Sequence, residues 1–147
     1  MIDKKHIGRC VSRHSVAVEA GKLRFFAKAI GETDPVYTDE AVAAGQGHAS
    51  LPVPPTYLFC LEMEKPDPYD WFDDVGLELP KVLHGSQLFR YWRQCHAHDV
   101  LSFEAHIDDI YQKKDGALEF VVKHTRVVNQ HGEHVADLRG VIVQRHR

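Results

Sequence analysis

Polar and apolar positions along the chain fall into two textures, helical in the first half and alternating in the second. From Val18 to Ile30 the residues Val18, Leu23, Phe25, Phe26, Ala29 and Ile30 recur at roughly helical intervals and Gly31 follows as a stop, which predicts an amphipathic helix. Thr38 reads as an N-cap, with Asp39 and Glu40 at the positive end of a short second helix that runs through Ala41 and Ala44 to Gly45. Residues 46–55 contain Gly47, Pro52, Pro54 and Pro55 and are expected to form an irregular loop. The stretch from Thr56 to Met63 is apolar nearly all round, the pattern of a helix buried at the centre of a fold.

After a loop rich in Pro and Asp, residues 65–80, which Trp71 and Phe72 are expected to anchor, the period changes to two. Strands are predicted over 82–93, 100–111, 117–128 and 134–144. The second alternates through Leu101, Phe103, Ala105 and Ile107 and ends in a hairpin turn with Asp115-Gly116 at its tip. A further turn spans 129–133. Helices followed by an antiparallel meander, without βαβ alternation, predict an α+β fold in which one sheet covers one buried helix. Its open edge makes self-association or a partner chain an expectation.

Composition narrows the classes. The 147 residues suit one domain over 1–147. With 44% hydrophobic and 27% charged residues, neither a disordered tail nor a fibrous repeat is indicated. Net charge is -3 and Lys and Arg are scattered, which argues against nucleic acid as a partner. The start of the chain lacks a signal-like apolar stretch and no run reaches membrane-spanning length, so no membrane association and a cytoplasmic location are expected. Cys10, Cys60 and Cys95 are too far apart for a disulfide framework or a metal pair, and Cys60 is expected to be buried. His96 and His98 could share a metal on a strand, but they fall where one strand ends and the next begins, so a solvated turn is expected and no metal.

The most specific stretch is Phe26-Ala-Lys-Ala-Ile-Gly31-Glu32-Thr33-Asp34-Pro35-Val36-Tyr37-Thr38-Asp39, followed by Ala43. It resembles the signature of the MaoC-like dehydratases and (R)-specific enoyl-CoA hydratases, in which Gly-Asp-x-Asn-Pro-apolar-His follows a helix. Pro54-Pro55-Thr56-Tyr57-Leu58 is similar to the Pro-Pro-Thr-Phe start of the central helix in the family's N-terminal-type domains. Leu83-His84-Gly85-Ser86-Gln87, with Phe89, Tyr91 and Arg93, resembles their first long strand. The resemblance covers nearly the whole chain and implies a hotdog fold, an antiparallel sheet wrapped around a long central helix. It also implies hydratase/dehydratase chemistry on acyl-CoA or acyl-carrier-protein thioesters in fatty acid metabolism, without a cofactor.

That reaction adds or removes water at the double bond next to a thioester carbonyl. It needs a carboxylate, an imidazole and a hydrogen-bond donor for the enolate-like oxygen. Here Glu32 stands at the family's Asp and Tyr37 at its His. Glu moves the carboxylate by one methylene, and Tyr, with a reference pKa of about 10, is a poor proton shuttle near neutral pH. Glu32, Asp34 and Pro35 build the turn between two helices, or Asp34 lines the substrate and Glu32 serves as an altered catalytic carboxylate; Tyr37 is structural or catalytic. The expected oxyanion donors are the N–H groups of Thr56 and Tyr57, the first that follow Pro54 and Pro55, against the reading of a Pro-started helix with Thr56 at its cap. His84 is the remaining imidazole, beside Gly85, whose missing side chain could let a ligand approach. Arg90 and Arg93 could face the phosphates of coenzyme A or make salt bridges at the rim.

Family members of this type pair with a second hotdog chain that carries the Asp and His, so the resemblance implies either a heteromer with such a chain or a catalytic homodimer. The competing classes are a hotdog thioesterase and a non-enzymatic acyl-binding protein. A thioesterase would need a carboxylate on the central helix, where the acids are Glu62 and Glu64, both late in it.

Overall fold

The computed structural model describes residues 1–146. Four α-helices and five strands follow in the order β1 Cys10–Ala17, α1 Ala20–Ala29, α2 Glu40–Gly45, α3 Tyr57–Glu62, α4 Phe72–Val75, β2 Val82–Tyr91, β3 Val100–Lys113, β4 Leu118–Val128 and β5 His134–Arg145. The strands form one antiparallel sheet in the order β1-β3-β4-β5-β2. Leu58 and Leu61 of α3 lie fully buried in a cluster with Leu101, Phe103, Val127 and Leu138, so the sheet wraps its central helix as expected. A second cluster gathers Trp71, Phe72, Val75 and Leu77 over Ile107, Ile110 and Val121, which anchors the 65–80 segment as Trp71 and Phe72 promised.

The four predicted strands are present within a few residues of their expected ends. At the β3–β4 hairpin Lys114, Asp115 and Gly116 all take positive φ, the conformation that a tight turn tipped by Asp-Gly demands. The central helix, in contrast, is six residues and not long, because Thr56 before it is held at φ 74, outside helical geometry, and Met63 already caps it.

One strand precedes the helices, against the expected order. β1 pairs along β3 from Cys10 to Ala17. Its inward positions carry a histidine: His14 stacks on Phe103 at 5.0 Å and its Nε2–H donates to the Leu61 carbonyl at 3.1 Å. An inward face read by a polar ring gives no apolar alternation, and so no signal in the sequence. Two smaller corrections follow. The cap of α2 is Asp39, whose carboxylate accepts from the N–H groups of Ala41 and Val42, while the Thr38 N–H closes the preceding turn on Pro35. Cys60 is only half-buried; Cys95 is the buried thiol, and burial pushes its pKa up to about 12.

The 46–56 loop is laid against residues 95–97 through Val53 N–H to Cys95 O at 2.8 Å and Ala97 N–H to Leu51 O at 2.8 Å. His96 and His98 part company there. His96 is half-buried and hydrogen-bonded to His48 at 3.0 Å, while His98 is exposed in a left-handed turn at φ 74.

Candidate functional site

The Glu32–Tyr37 stretch is a turn whose carboxylates hold it together. α1 is closed off beyond Ala29 by Gly31 at φ +71, and the Glu32 N–H returns to Ala27 O at 2.9 Å. The Glu32 carboxylate accepts the Asp34 N–H at 2.9 Å, and the Asp34 carboxylate accepts the Val36 N–H at 3.0 Å to start a 3-10 turn over Pro35–Tyr37. Both acids are exposed. Tyr37 is half-buried against the main core. Each of the two carboxylates therefore has a local structural job.

A cavity of about 330 Å³ opens between Val53, Pro55 and Leu58 on one side and Tyr91, Trp92 and Arg93 on the other. Of the two expected donors, the Tyr57 N–H is spent on Pro54 O at 3.2 Å, and the Tyr57 ring is buried against Phe26, centroids 4.9 Å apart. Thr56 behaves differently. It sits at φ +74 and ψ −16, a region costly for a β-branched residue, and its N–H donates to the Tyr91 hydroxyl at 2.8 Å. Burial raises the Tyr91 pKa and the Thr56 N–H partly offsets it, so the phenol stays protonated at neutral pH and can still donate its own hydrogen. Tyr91 is the residue that sequence reasoning missed as a site member. Its alternate-residue spacing from Phe89 on a strand that runs past the helix start was the available signal.

The two arginines are divided. Arg93 lines the cavity and its guanidinium lies 3.6 Å from Glu133. Arg90 stacks over Trp92 at 5.2 Å, and the indole N–H donates to Asp137 at 2.7 Å.

His84 belongs to another cavity, of about 210 Å³, with its ring stacked on Phe59 at 5.2 Å and its Nε2 donating to Ser86 O at 3.1 Å. Gly85 does not open space for a ligand. A Cβ there would lie 2.8 Å from Val143 Cγ2 and 3.0 Å from Val141 O, so the glycine exists to let β2 close on β5. Gly85→Ala is expected to lower the urea midpoint by an amount equivalent to about 1–3 kcal/mol, the cost of overpacking against a neighbouring strand. The candidate residues thus fall apart into the Glu32–Tyr37 turn, the cavity beside Thr56 that Arg93 lines and the His84 cavity, with Tyr57 in the core and Arg90 outside both cavities.

Comparison with known proteins fits this architecture. Residues 5–138 match the profile of the FAS1-like, dehydratase domain region. The chain belongs to this FAS1-like dehydratase-region family. A relative named UPF0336 protein, from Streptomyces avermitilis, is 32% identical over 135 residues, 91% of this chain and 89% of that protein. Among solved structures, the truncated HadBC (3R-hydroxyacyl-ACP dehydratase) complex from Mycobacterium tuberculosis superposes with a TM-score of 0.82 at 22% identity, covering 94% of this chain and 96% of the other. The MaoC-like dehydratase from Rhodospirillum rubrum gives 0.70 at 19% identity, covering 96% and 93%. The ChsH1-ChsH2 complex from Mycobacterium tuberculosis gives 0.67 at 19% identity, covering 95% and 98%. This member of the dehydratase-region family shares the hotdog fold of these structures. No helix among the described residues is long and apolar enough to cross a membrane.

Proposed function

We propose that this chain binds an acyl thioester, carried on coenzyme A or on acyl-carrier protein, as one subunit of a two-chain hydratase/dehydratase whose second MaoC-like chain supplies the acid and base. The observation that carries the reading is the state of the Glu32 and Tyr37 positions. Glu32 is exposed and accepts the Asp34 N–H, and Tyr37 is half-buried against the core, which supports giving the proton transfer to the partner chain. What remains suited to a thioester is the Thr56 cavity. Its Leu58, Val53 and Pro55 wall takes the apolar flank, and the Tyr91 hydroxyl and Arg93 offer donors to oxygen.

The partner enters at the sheet edge. β2 is an outer strand, and Leu83 and Leu88 are each 56% exposed on it, with Trp92 53% exposed just beyond. An apolar open edge of this kind favours pairing with another chain. Two of the similar folds are complexes of two named chains, HadBC and ChsH1-ChsH2, which supports the same arrangement here. The thioesterase alternative weakens, because Glu62 is buried and bound by Thr125 and Lys123.

The test is to assay crotonyl-CoA with the purified chain and with the chain co-expressed beside a MaoC-type protein that carries the Asp and His. A heteromer that consumes enoyl absorbance, with the lone chain inactive, is the expected result. Hydration by the lone chain at an enzyme-like rate, abolished by Glu32→Gln, would overturn the reading. Release of free thiol from saturated acyl-CoA would replace it with the thioesterase.

A further inference from the structure

The sheet ladder sets Gln87 of β2, Gly140 of β5 and Lys123 of β4 side by side, Gly140 being the cross-strand partner of the other two. All three floor the His84 cavity, which shares none of its lining with the one beside Thr56; Phe59 of α3, Met63 at its cap and Phe72 form apolar walls. Gly140 is what leaves the floor open. It is not in a turn and its φ is not positive, and a Cβ there would meet only the flexible Gln87 side chain, at 3.1 Å. A glycine inside a strand gives up packing, and it marks a place where something else approaches the backbone.

The polar floor is unusual chemically. Lys123 points inward, its side chain 17% exposed, with Nζ 2.8 Å from Glu62 Oε1. Thr125 donates to that same oxygen at 2.5 Å. The Glu62 side chain is 7% exposed, and its Oε2 has no hydrogen-bond partner among the described residues. A buried ion pair stabilises a fold no better than apolar residues of the same volume, so its presence at a cavity floor calls for another reason. The charges of the pair cancel, yet the lysine keeps N–H groups unspent, and the Gln87 amide makes only a 3.5 Å contact with Leu88 O.

A carboxylate entering here would add net negative charge to an apolar pocket, and a plain alkyl end would leave the lysine N–H groups unpaired. A hydroxyl brings one donor and two lone pairs, matching spare donors and the Gln87 carbonyl together. The volume of about 210 Å³ has room for about seven water-sized groups. We infer that this pocket binds the hydroxyl end of a neutral apolar chain of about six carbons, recognised by Lys123 and Gln87 over Gly140.

The test titrates the full-length, 15N-labelled chain with 1-hexanol, hexanoate and hexyl methyl ether, following the Gly140 backbone amide and the Gln87 side-chain amide. Saturable shifts with 1-hexanol, at an affinity tenfold or more above that for hexanoate and for the ether, are expected. Gly140→Val should abolish binding of all three. Lys123→Met/Glu62→Gln, checked for folding by its melting curve, should bind hexanol and ether equally. The inference is overturned by the absence of saturable shifts, by hexanoate binding tighter than hexanol, or by an undiminished alcohol preference in the folded double variant. Competition by 6-hydroxyhexanoyl-CoA but not hexanoyl-CoA would identify the source as the hydroxylated tail of an acyl chain; competition by neither would identify a free alcohol. Because the cavity at Thr56 is a different one, failure here leaves the thioester reading standing.

Discussion

Glu119→Ala is expected to destabilise the fold by about 3 kcal/mol, measured as a loss of unfolding free energy in urea at neutral pH. Glu119 is 1% exposed on β4, and it ties three parts of the chain together. Its Oε1 accepts the Ile2 N–H at 2.7 Å and the Gln112 amide at 3.0 Å, and its Oε2 takes His146 Nε2–H at 2.6 Å. Alanine would leave the Ile2 N–H without its acceptor in a buried place and release both ends of the chain from the sheet. A loss under 1 kcal/mol would mean that water replaces the carboxylate.

The same residue sets a pH dependence. Burial acts to raise the Glu119 pKa, but the hydrogen bonds from Ile2, Gln112 and His146 outweigh it and hold the carboxyl below the usual range. The folded state therefore binds its proton more weakly than the unfolded chain does. The stabilisation is complete above the unfolded pKa of about 4.3 and is lost as pH falls through the lower folded value. The stability gap between wild type and Glu119→Ala should accordingly narrow steadily as urea titrations are taken below about pH 4.3.

Lys123→Met alone should cost about 3–5 kcal/mol, since it leaves the Glu62 carboxylate buried and unpaired, whereas Lys123→Met/Glu62→Gln should return to within about 1 kcal/mol of wild type. The glutamine keeps an acceptor for the Thr125 hydroxyl, which lies 2.5 Å from Glu62 Oε1. Additive losses in the double variant would show that the two side chains act independently and that the pair is not a unit. Urea midpoints of the three proteins decide the matter.

The residues most readable in advance were those whose role is set by their neighbours along the chain. Gly31 as a helix stop, the Asp115-Gly116 hairpin and the apolar 56–63 stretch all answer to local backbone geometry or to a period, and each lies where expected. β1 escaped because its inward position is His14, which satisfies the fold by stacking on Phe103 and bonding to Leu61, partners 89 and 47 residues away; the alternation that marks a strand was never written there. Lys123 escaped for the opposite reason. Val121, Lys123, Thr125 and Val127 alternate plainly, but a lysine in such a row reads as solvated until a partner such as Glu62 is brought to meet it.

By itself, then, the sequence determined the α+β hotdog class, the order of the long strands and the family, because periodicity, turn residues and motif spacing are properties of adjacent residues. Only the tertiary structure decided which distant groups meet: that Thr56 is held in a left-handed conformation against Tyr91, and that Glu62 meets Lys123 beneath Gly140. Those facts depend on hydrogen bonds and ion pairs between residues far apart in the chain, and no local pattern encodes which distant groups will be brought within 3 Å of one another.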